Sequence, residues 1–255
     1  MRIVKEQVKQ QFLAYTDCYD RKDPKVRLKI DHTLRVAGLA DRIEESELPA
    51  QNTGVGWLLG MLHDIGRFEQ LRRYHTFSDS RSIDHAEFGA DLLFREGMIG
   101  QFLAADEEEC RLLEKAIRLH NKLDLPADLT DRERFYCNVI RDADKIDILR
   151  VICETPFDDI YDCTREELAG SPVTDEVFRQ AMQRRTVDRA VSRTPMDSYL
   201  NKITFVYGLV FEESRRLVQQ QGHLRQMLDY HSQNAETERR LEAIRQDIRQ
   251  YLKES

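Results

Sequence analysis

Chain breakers are scarce in this sequence. Its 255 residues include only 11 Gly and 6 Pro against 33% charged residues, a balance that argues for a mainly α-helical protein. No convincing series of strands, internal repeat or low-complexity tract interrupts that reading. Paired thiols are missing too. The five cysteines, Cys18, Cys110, Cys137, Cys153 and Cys163, are odd in number and show no C-x-x-C spacing, so a reduced, cytoplasmic setting is expected. The opening stretch MRIVKEQVKQQFLAYTDCYD lacks the continuous apolar core of a signal peptide, and no segment approaches membrane-spanning length. A surplus of positive charge is likewise absent. The net charge of −7 argues against a general binder of nucleic-acid polymers or anionic membranes. It leaves room for a small phosphorylated ligand, which needs only a local positive site.

What is present is helical periodicity. Val4, Val8, Phe12, Tyr15 and Tyr19 form one stripe at spacings of three and four. Asp23-Pro24 is a cap followed by a first-turn proline, opening a helix with His32, Val36, Leu39 and Ile43 on one face. SELPAQNTG reads as a loop, with Thr53 as cap of an apolar helix ending at His63-Asp64. Ser82 is expected to cap a helix running to Gly97, and the acidic 106–109 run suits the first turn of another. Thr130 and Glu133 suggest a capping box before a helix carrying Val139, Ile140, Asp144 and Ile148. Further on, Thr174 starts a short helix and Thr194-Pro195 a long one, with Tyr199, Ile203, Val206, Val210 and Leu217 inward. A last amphipathic helix holds Leu241, Ile244, Ile248 and Leu252. The expected fold class is all-α.

The chemistry lies in the histidines. His32, His63, His85 and His120 fall near the inward faces or ends of separate helices, and Asp64 and Asp144 add carboxylates in similar settings. Imidazole and carboxylate suit divalent transition metals. One ion would take His32, His63, Asp64 and Asp144; a second would take His85 and His120, with Asp64 bridging both. Neighbouring helical residues point about 100° apart, so His63 and Asp64 converge only where the helix ends, and Gly66 is expected to permit a tight exit there. Any one such histidine is more often a hydrogen-bonded core residue, and Asp144 alone would pair with Lys145 or Arg141. Four helices aiming polar groups at one core would be costly with nothing to satisfy them, and that joint pattern decides the reading.

The order His32, His63-Asp64, His85, His120, Asp144 resembles the HD-domain superfamily of metal-dependent phosphohydrolases, and the phrases HDIGRF and IRDADKIDIL strengthen the likeness over roughly residues 25 to 150. The resemblance implies an HD-domain helical bundle and hydrolysis of phosphoric esters, often of nucleotides. The two extra histidines resemble the dinuclear branch, which implies two divalent ions, iron or manganese before magnesium, cobalt, nickel or zinc. The Gly-Tyr-Pro mark of the cyclic-dinucleotide branch is absent, and Asn121 stands where a further histidine often follows in dinuclear relatives, which speaks against a third ion. HDIGRFEQ also lacks the acidic pair usual in alarmone hydrolases.

A metal-activated water attacking phosphorus would place Asp64 at the reaction centre. Arg67, three residues beyond it, is the first phosphate candidate, Lys145 the second catalytic and substrate candidate, and Arg73 a further substrate residue from the Arg-rich loop. Loop residue His75 offers a proton, Glu87 an orienting carboxylate, and His223 and His231 lie too far along the chain for a catalytic part. Two rivals stand beside the hydrolase: a di-iron oxygenase using the same ligands, and a non-catalytic nucleotide- or metal-binding regulatory protein. Domains are expected at 1–160, the HD core, and 161–255, a helical extension packed on it. Part of that extension could serve a homodimer contact, with intramolecular packing favoured.

Overall fold

The structure, a computed structural model, describes residues 2–50 and 53–254; Gln51 and Asn52, inside the expected SELPAQNTG loop, lie outside the described residues. It is all-α, without strands among the described residues. Two compact units divide the chain, Met1–Asp144 and Lys145–Ser255.

The first unit contains α1 (Lys5–Thr16), α2 (Pro24–Glu47), α3 (Val55–Leu62), α4 (Ile65–Tyr74), α5 (His85–Ala90), α6 (Ile99–Phe102), α7 (Glu107–Leu119) and the start of α8 (Asp131–Glu154). Helix α3, VGWLLGML, is buried around most of its circumference, with Leu58, Leu59, Met61 and Leu62 fully inside. Such an apolar sequence is stable only as a central element. It lies tightly against α2: a Cβ at Gly60 would come within 2.4 Å of the Ala37 Cα. Phe68 of α4 packs on α1, edge-on to Phe12 at 5.8 Å and Tyr15 at 5.9 Å.

Local signals account for most boundaries. Asp23 accepts from the Lys25 amide with Pro24 at the first helical position, and Asp106 caps α7 by accepting from the Glu109 amide. Thr130 and Glu133 bond each other's backbone amides as a capping box requires. Two caps differ from expectation. Gly54, left-handed at φ 75°, occupies the cap of α3, while Thr53 donates its hydroxyl to Glu44 at 2.9 Å. Asp84, rather than Ser82, caps α5 by accepting from the Ala86 and Glu87 amides; the Ser82 hydroxyl is spent on the Ser78 carbonyl. Beyond α5 the chain widens into a π turn at Asp91–Arg95 before Gly97 reverses it at φ 75°.

Glu44 ties three elements together. Fully buried, it accepts from the Gly56 amide at 2.7 Å, the Thr53 amide at 3.2 Å and the Tyr136 hydroxyl of α8 at 3.0 Å. Replacing it with leucine would strand those donors, each costing about 1–3 kcal/mol when buried and unsatisfied. Glu44→Leu is therefore expected to lower the thermal midpoint by at least roughly 6 °C. A midpoint within a degree of wild type in a calorimetric scan would show that the cluster contributes nothing.

The second unit begins inside α8 and continues through α9 (Phe157–Ile160), α10 (Arg165–Gly170), α11 (Asp175–Met182), α12 (Pro195–Ile203), α13 (Glu212–Gln221), α14 (His223–Leu228) and α15 (Ala235–Glu254). Its core includes Met196, Leu200, Val206, Leu217, Leu241, Ile244 and Ile248. Thr194 and Asp197 form a capping box with Pro195 in the first turn, as the sequence suggests. The long helix expected from there does not form. After Ile203 the chain tightens into a 3₁₀ segment, Thr204–Gly208, and α13 starts anew at Glu212. The Gly208 carbonyl is engaged by the Lys145 ammonium at 2.8 Å instead of an amide one turn on, and Val210, expected inside, is 51% exposed.

Candidate metal centre

Six side chains meet in the first unit. His32 comes from the middle of α2, His63 from the C-terminal cap of α3, Asp64 from the junction of α3 and α4, His85 from the first residue of α5, His120 from the end of α7, and Asp144 from α8. All four imidazoles and Asp64 are at most 5% exposed. The His63-Asp64 pair converges because α3 stops at Leu62 and Asp64, at φ −102° and ψ 16°, has left helical geometry. Gly66 is not the exit: it lies inside α4. Its role is close approach, since a Cβ there would stand 2.5 Å from the His85 carbonyl oxygen and 2.7 Å from the Gly89 amide. The missing side chain lets α5 press against α4 and brings His85 beside Asp64.

Asp64 occupies the middle. Its Oδ2 lies 3.6 Å from His32 Nε2 and 3.7 Å from His63 Nε2; its Oδ1 lies 3.3 Å from His85 Nε2 and 3.9 Å from His120 Nε2. Asp144 Oδ1 is 3.2 Å from His32 and 3.8 Å from His63. Ligand atoms of three overlapping sets, His32/His63/Asp64, His63/His120/Asp144 and Asp64/His85/His120, fall within 4.8 Å of one another. Ligands about 2.0–2.2 Å from a shared ion span no more than about 4.4 Å, so these spacings suit direct coordination with little adjustment.

Hydrogen bonds around the rim settle which ring nitrogens face inward. His63 Nδ1 donates to the Gly60 carbonyl at 2.8 Å, His120 Nδ1 to the Ile117 carbonyl at 2.7 Å, and His85 Nδ1 to Asp79 Oδ2 at 2.8 Å. A carbonyl oxygen only accepts, so each Nδ1 carries the proton and each Nε2 keeps its lone pair. Burial first, then the Arg67 charge, holds the His85 ring down to about 4. Burial and then His63 do the same for His120, also to about 4, and burial lowers His63. These imidazoles are neutral near pH 7, as metal ligation requires. Two consequences favour a cation. The buried His63 Nε2 has no hydrogen-bond partner among the described residues, and His85 Nε2 and His120 Nε2 stand 3.0 Å apart with lone pairs facing. Two lone pairs at that distance repel unless positive charge lies between them. The donor set therefore fits a divalent cation, and its imidazole–carboxylate composition suits iron, manganese or zinc better than calcium.

The surrounding charges are organised around Asp64. Burial alone would raise its carboxyl; Lys29, then His63 and Arg67, outweigh that and hold it well below the usual carboxylate range. Lys29 Nζ donates to Asp64 Oδ2 at 2.6 Å. Lys29 was not foreseen, although three residues before His32 on α2 is same-face spacing. Asp79 was also missed, and no local pattern marks it; only the folded loop carries it to His85. Arg67 lies 3.5 Å from Asp64 Oδ1, and its guanidinium donates to Gln70, the Phe77 carbonyl and Asp79. It holds the loop that orients His85. The other expected substrate residues have partners of their own. Arg73 donates to Glu69 at 2.5 Å and stacks over Phe88, half exposed. Lys145 belongs to the second unit, where it engages Gly208. Glu87 pairs with Arg118 at 2.6 Å, and exposed His75 ends α4 in a left-handed turn at φ 54°.

The end of α7 is fixed from α8. Arg141, 7% exposed, donates to the Leu119, Lys122 and Leu123 carbonyls, satisfying the helix end that carries His120. Asn121 and Lys122 donate to Asp84, the cap of α5, at 2.9 and 2.7 Å. The start of α5 and the end of α7 are thereby pinned together, which is why His85 and His120 adjoin. Loss of the Asp79 carboxylate should loosen one ring without moving a helix. Asp79→Asn is expected to weaken metal binding by about 10–100-fold, read by titration of apo-protein, with the thermal midpoint of the apo form little changed.

The helical bundle gathers four imidazoles and two carboxylates into overlapping groups that could hold metal ions. Residues 30–149 match the family model of the HD domain, and the six residues fall within that span. Residues 30–149 thus carry an HD domain, a domain found mostly in metal-dependent phosphohydrolases. Searches of curated proteins and of solved structures returned no match. No helix is long and apolar enough to cross a membrane among the described residues.

Proposed function

We infer that this protein is a metal-dependent phosphohydrolase that cleaves a phosphoester or phosphoanhydride of a small molecule, with a nucleotide as the favoured substrate. The observation that carries the reading is the central place of Asp64, whose two oxygens face different pairs of imidazoles, His32/His63 and His85/His120. That arrangement suits two divalent cations sharing one carboxylate, with His32, His63 and Asp144 on one side and His85 and His120 on the other. When bound, such a pair supplies a water ionised near neutral pH and positive charge for phosphoryl oxygens.

The chain's own residues do the rest. The Nδ1 bonds to Gly60, Ile117 and Asp79 keep three rings in the ligating tautomer. Lys29 and Arg67 hold Asp64 ionised and immobile, so little reorganisation accompanies reaction. Elemental analysis of purified protein, combined with a phosphate-release screen, tests the reading. Nucleotides, dinucleoside polyphosphates and generic phosphoesters would be tried with manganese, iron, cobalt and nickel. The expected result is about two metal ions per chain and metal-dependent phosphate release. Oxygen consumption by the iron-loaded protein with no phosphate release from any substrate would overturn it.

A further inference from the structure

The second unit holds a cavity of about 300 Å³, at the lower end of the usual small-molecule range. None of the six metal-centre residues lines it. One wall is a run of four aromatic rings. Phe157 and Tyr161 stack at 4.7 Å, Tyr161 and Tyr199 lie 6.4 Å apart, and Tyr199 and Tyr230 lie 5.1 Å apart. The Tyr199 hydroxyl donates to the Met227 carbonyl at 2.9 Å and is thereby fixed. The Tyr161 hydroxyl is buried and has no hydrogen-bond partner among the described residues. An orphaned phenol is costly in a folded protein and is commonly satisfied by a ligand or an ordered water.

Charge at the cavity favours an anion. Arg165 sits over the Phe157 ring at 4.7 Å and lines the cavity. The one lining carboxylate, Asp229, is countered by Arg249 at 3.3 Å, which leaves the Arg165 guanidinium as the net charge. Nucleophilic chemistry is not supported: the Cys153 thiol, also in the lining, is pushed up to about 11 by burial and directed at the His223 carbonyl.

We propose that this cavity binds a small molecule made of a planar ring and an anionic group, the ring lying against the Phe157–Tyr161–Tyr199–Tyr230 wall, the anion on Arg165, and a polar ring atom on the Tyr161 hydroxyl. Stacking on aromatic faces recognises any flat ring, and guanidinium takes either phosphate or carboxylate. Both sources of the anion are therefore tested.

Calorimetric titration of the full-length chain carrying Asp64→Asn, kept metal-free with EDTA, separates this cavity from the metal centre. The probes are AMP for a phosphate and indole-3-acetate for a carboxylate, with adenosine and inorganic phosphate as half-ligands. One of the two whole probes is expected to bind at one site per chain; for AMP the dissociation constant should be on the order of 10–100 µM. Adding Arg165→Gln should weaken binding at least about tenfold, and Tyr161→Phe about five- to tenfold. Tyr161→Phe should at the same time leave the thermal midpoint of the free protein unchanged or raised, because the hydroxyl it removes has no partner among the described residues. A purely structural tyrosine would not show that opposition. Absence of saturable binding by both whole probes up to roughly 1 mM would overturn the proposal. So would adenosine binding as tightly as AMP, or affinity indifferent to both substitutions.

Discussion

Asp64→Asn is expected to abolish metal retention and phosphate release together. Asparagine keeps the volume and can still accept from Lys29, so the helices should remain in place. What disappears is the negative charge that faces both imidazole pairs. Loss of a residue that merely orients a ligand typically costs 10–100-fold, and loss of a shared ligand should exceed that. The expected drop in kcat/KM is at least on the order of 10³-fold. Elemental analysis should show both ions lost, where Asp79→Asn leaves the first site filled. Circular dichroism with the wild-type helical signature separates this outcome from unfolding. Normal hydrolysis by the variant would remove Asp64 from the reaction and the phosphohydrolase reading with it.

Gly66→Ala should do nearly as much harm from outside the ligand set. The added methyl would face the His85 carbonyl at 2.5 Å, the Gly89 amide at 2.7 Å and the Gly89 Cα at 2.9 Å, all backbone atoms that no rotamer change can clear. Overpacking of this kind costs about 1–3 kcal/mol, and roughly 5–10 °C of thermal midpoint follows. The relief available is for α5 to move off α4, taking His85 away from Asp64 and His120, now 3.3 and 3.0 Å distant. Metal affinity should fall by about 10–100-fold, chiefly at the second position. Gly38→Ala is the control. It lies on an exposed helical face where a Cβ meets nothing within 4 Å, and it should be neutral or stabilising by about 0.5–1 kcal/mol. Equal midpoints for the two variants would show that the α4–α5 contact is slack.

The first unit was legible because its signals are local. Asp23-Pro24, Asp106 and the Thr130/Glu133 pair state their helix starts in a few consecutive residues, and the histidines recur on apolar faces whose period is readable from spacing alone. Boundaries set by distant partners were not legible. Thr53 has the chemistry of a cap, yet Glu44, nine residues earlier, claims its hydroxyl. The apolar stripe through Tyr199, Ile203, Val206 and Val210 has helical period, yet the helix stops at Ile203, and the 3₁₀ segment after it ends at Gly208, whose carbonyl Lys145, 63 residues away, takes. Arg67 and Arg73 show the same limit. Both are phosphate candidates by residue type, and only the fold shows that one donates to Asp79 and the other to Glu69.

The amino-acid order alone determined that this chain is all-α, and which imidazoles and carboxylates face inward, since periodicity and caps depend on neighbours within about a turn. Tertiary structure alone decided that Lys29 supports Asp64, that Asp79 supports His85, and that Gly66 serves close packing instead of a turn. Those outcomes depend on distances between helices far apart in the chain. Such distances follow from how side-chain volumes fit, a property of the packed whole that no short window of sequence contains.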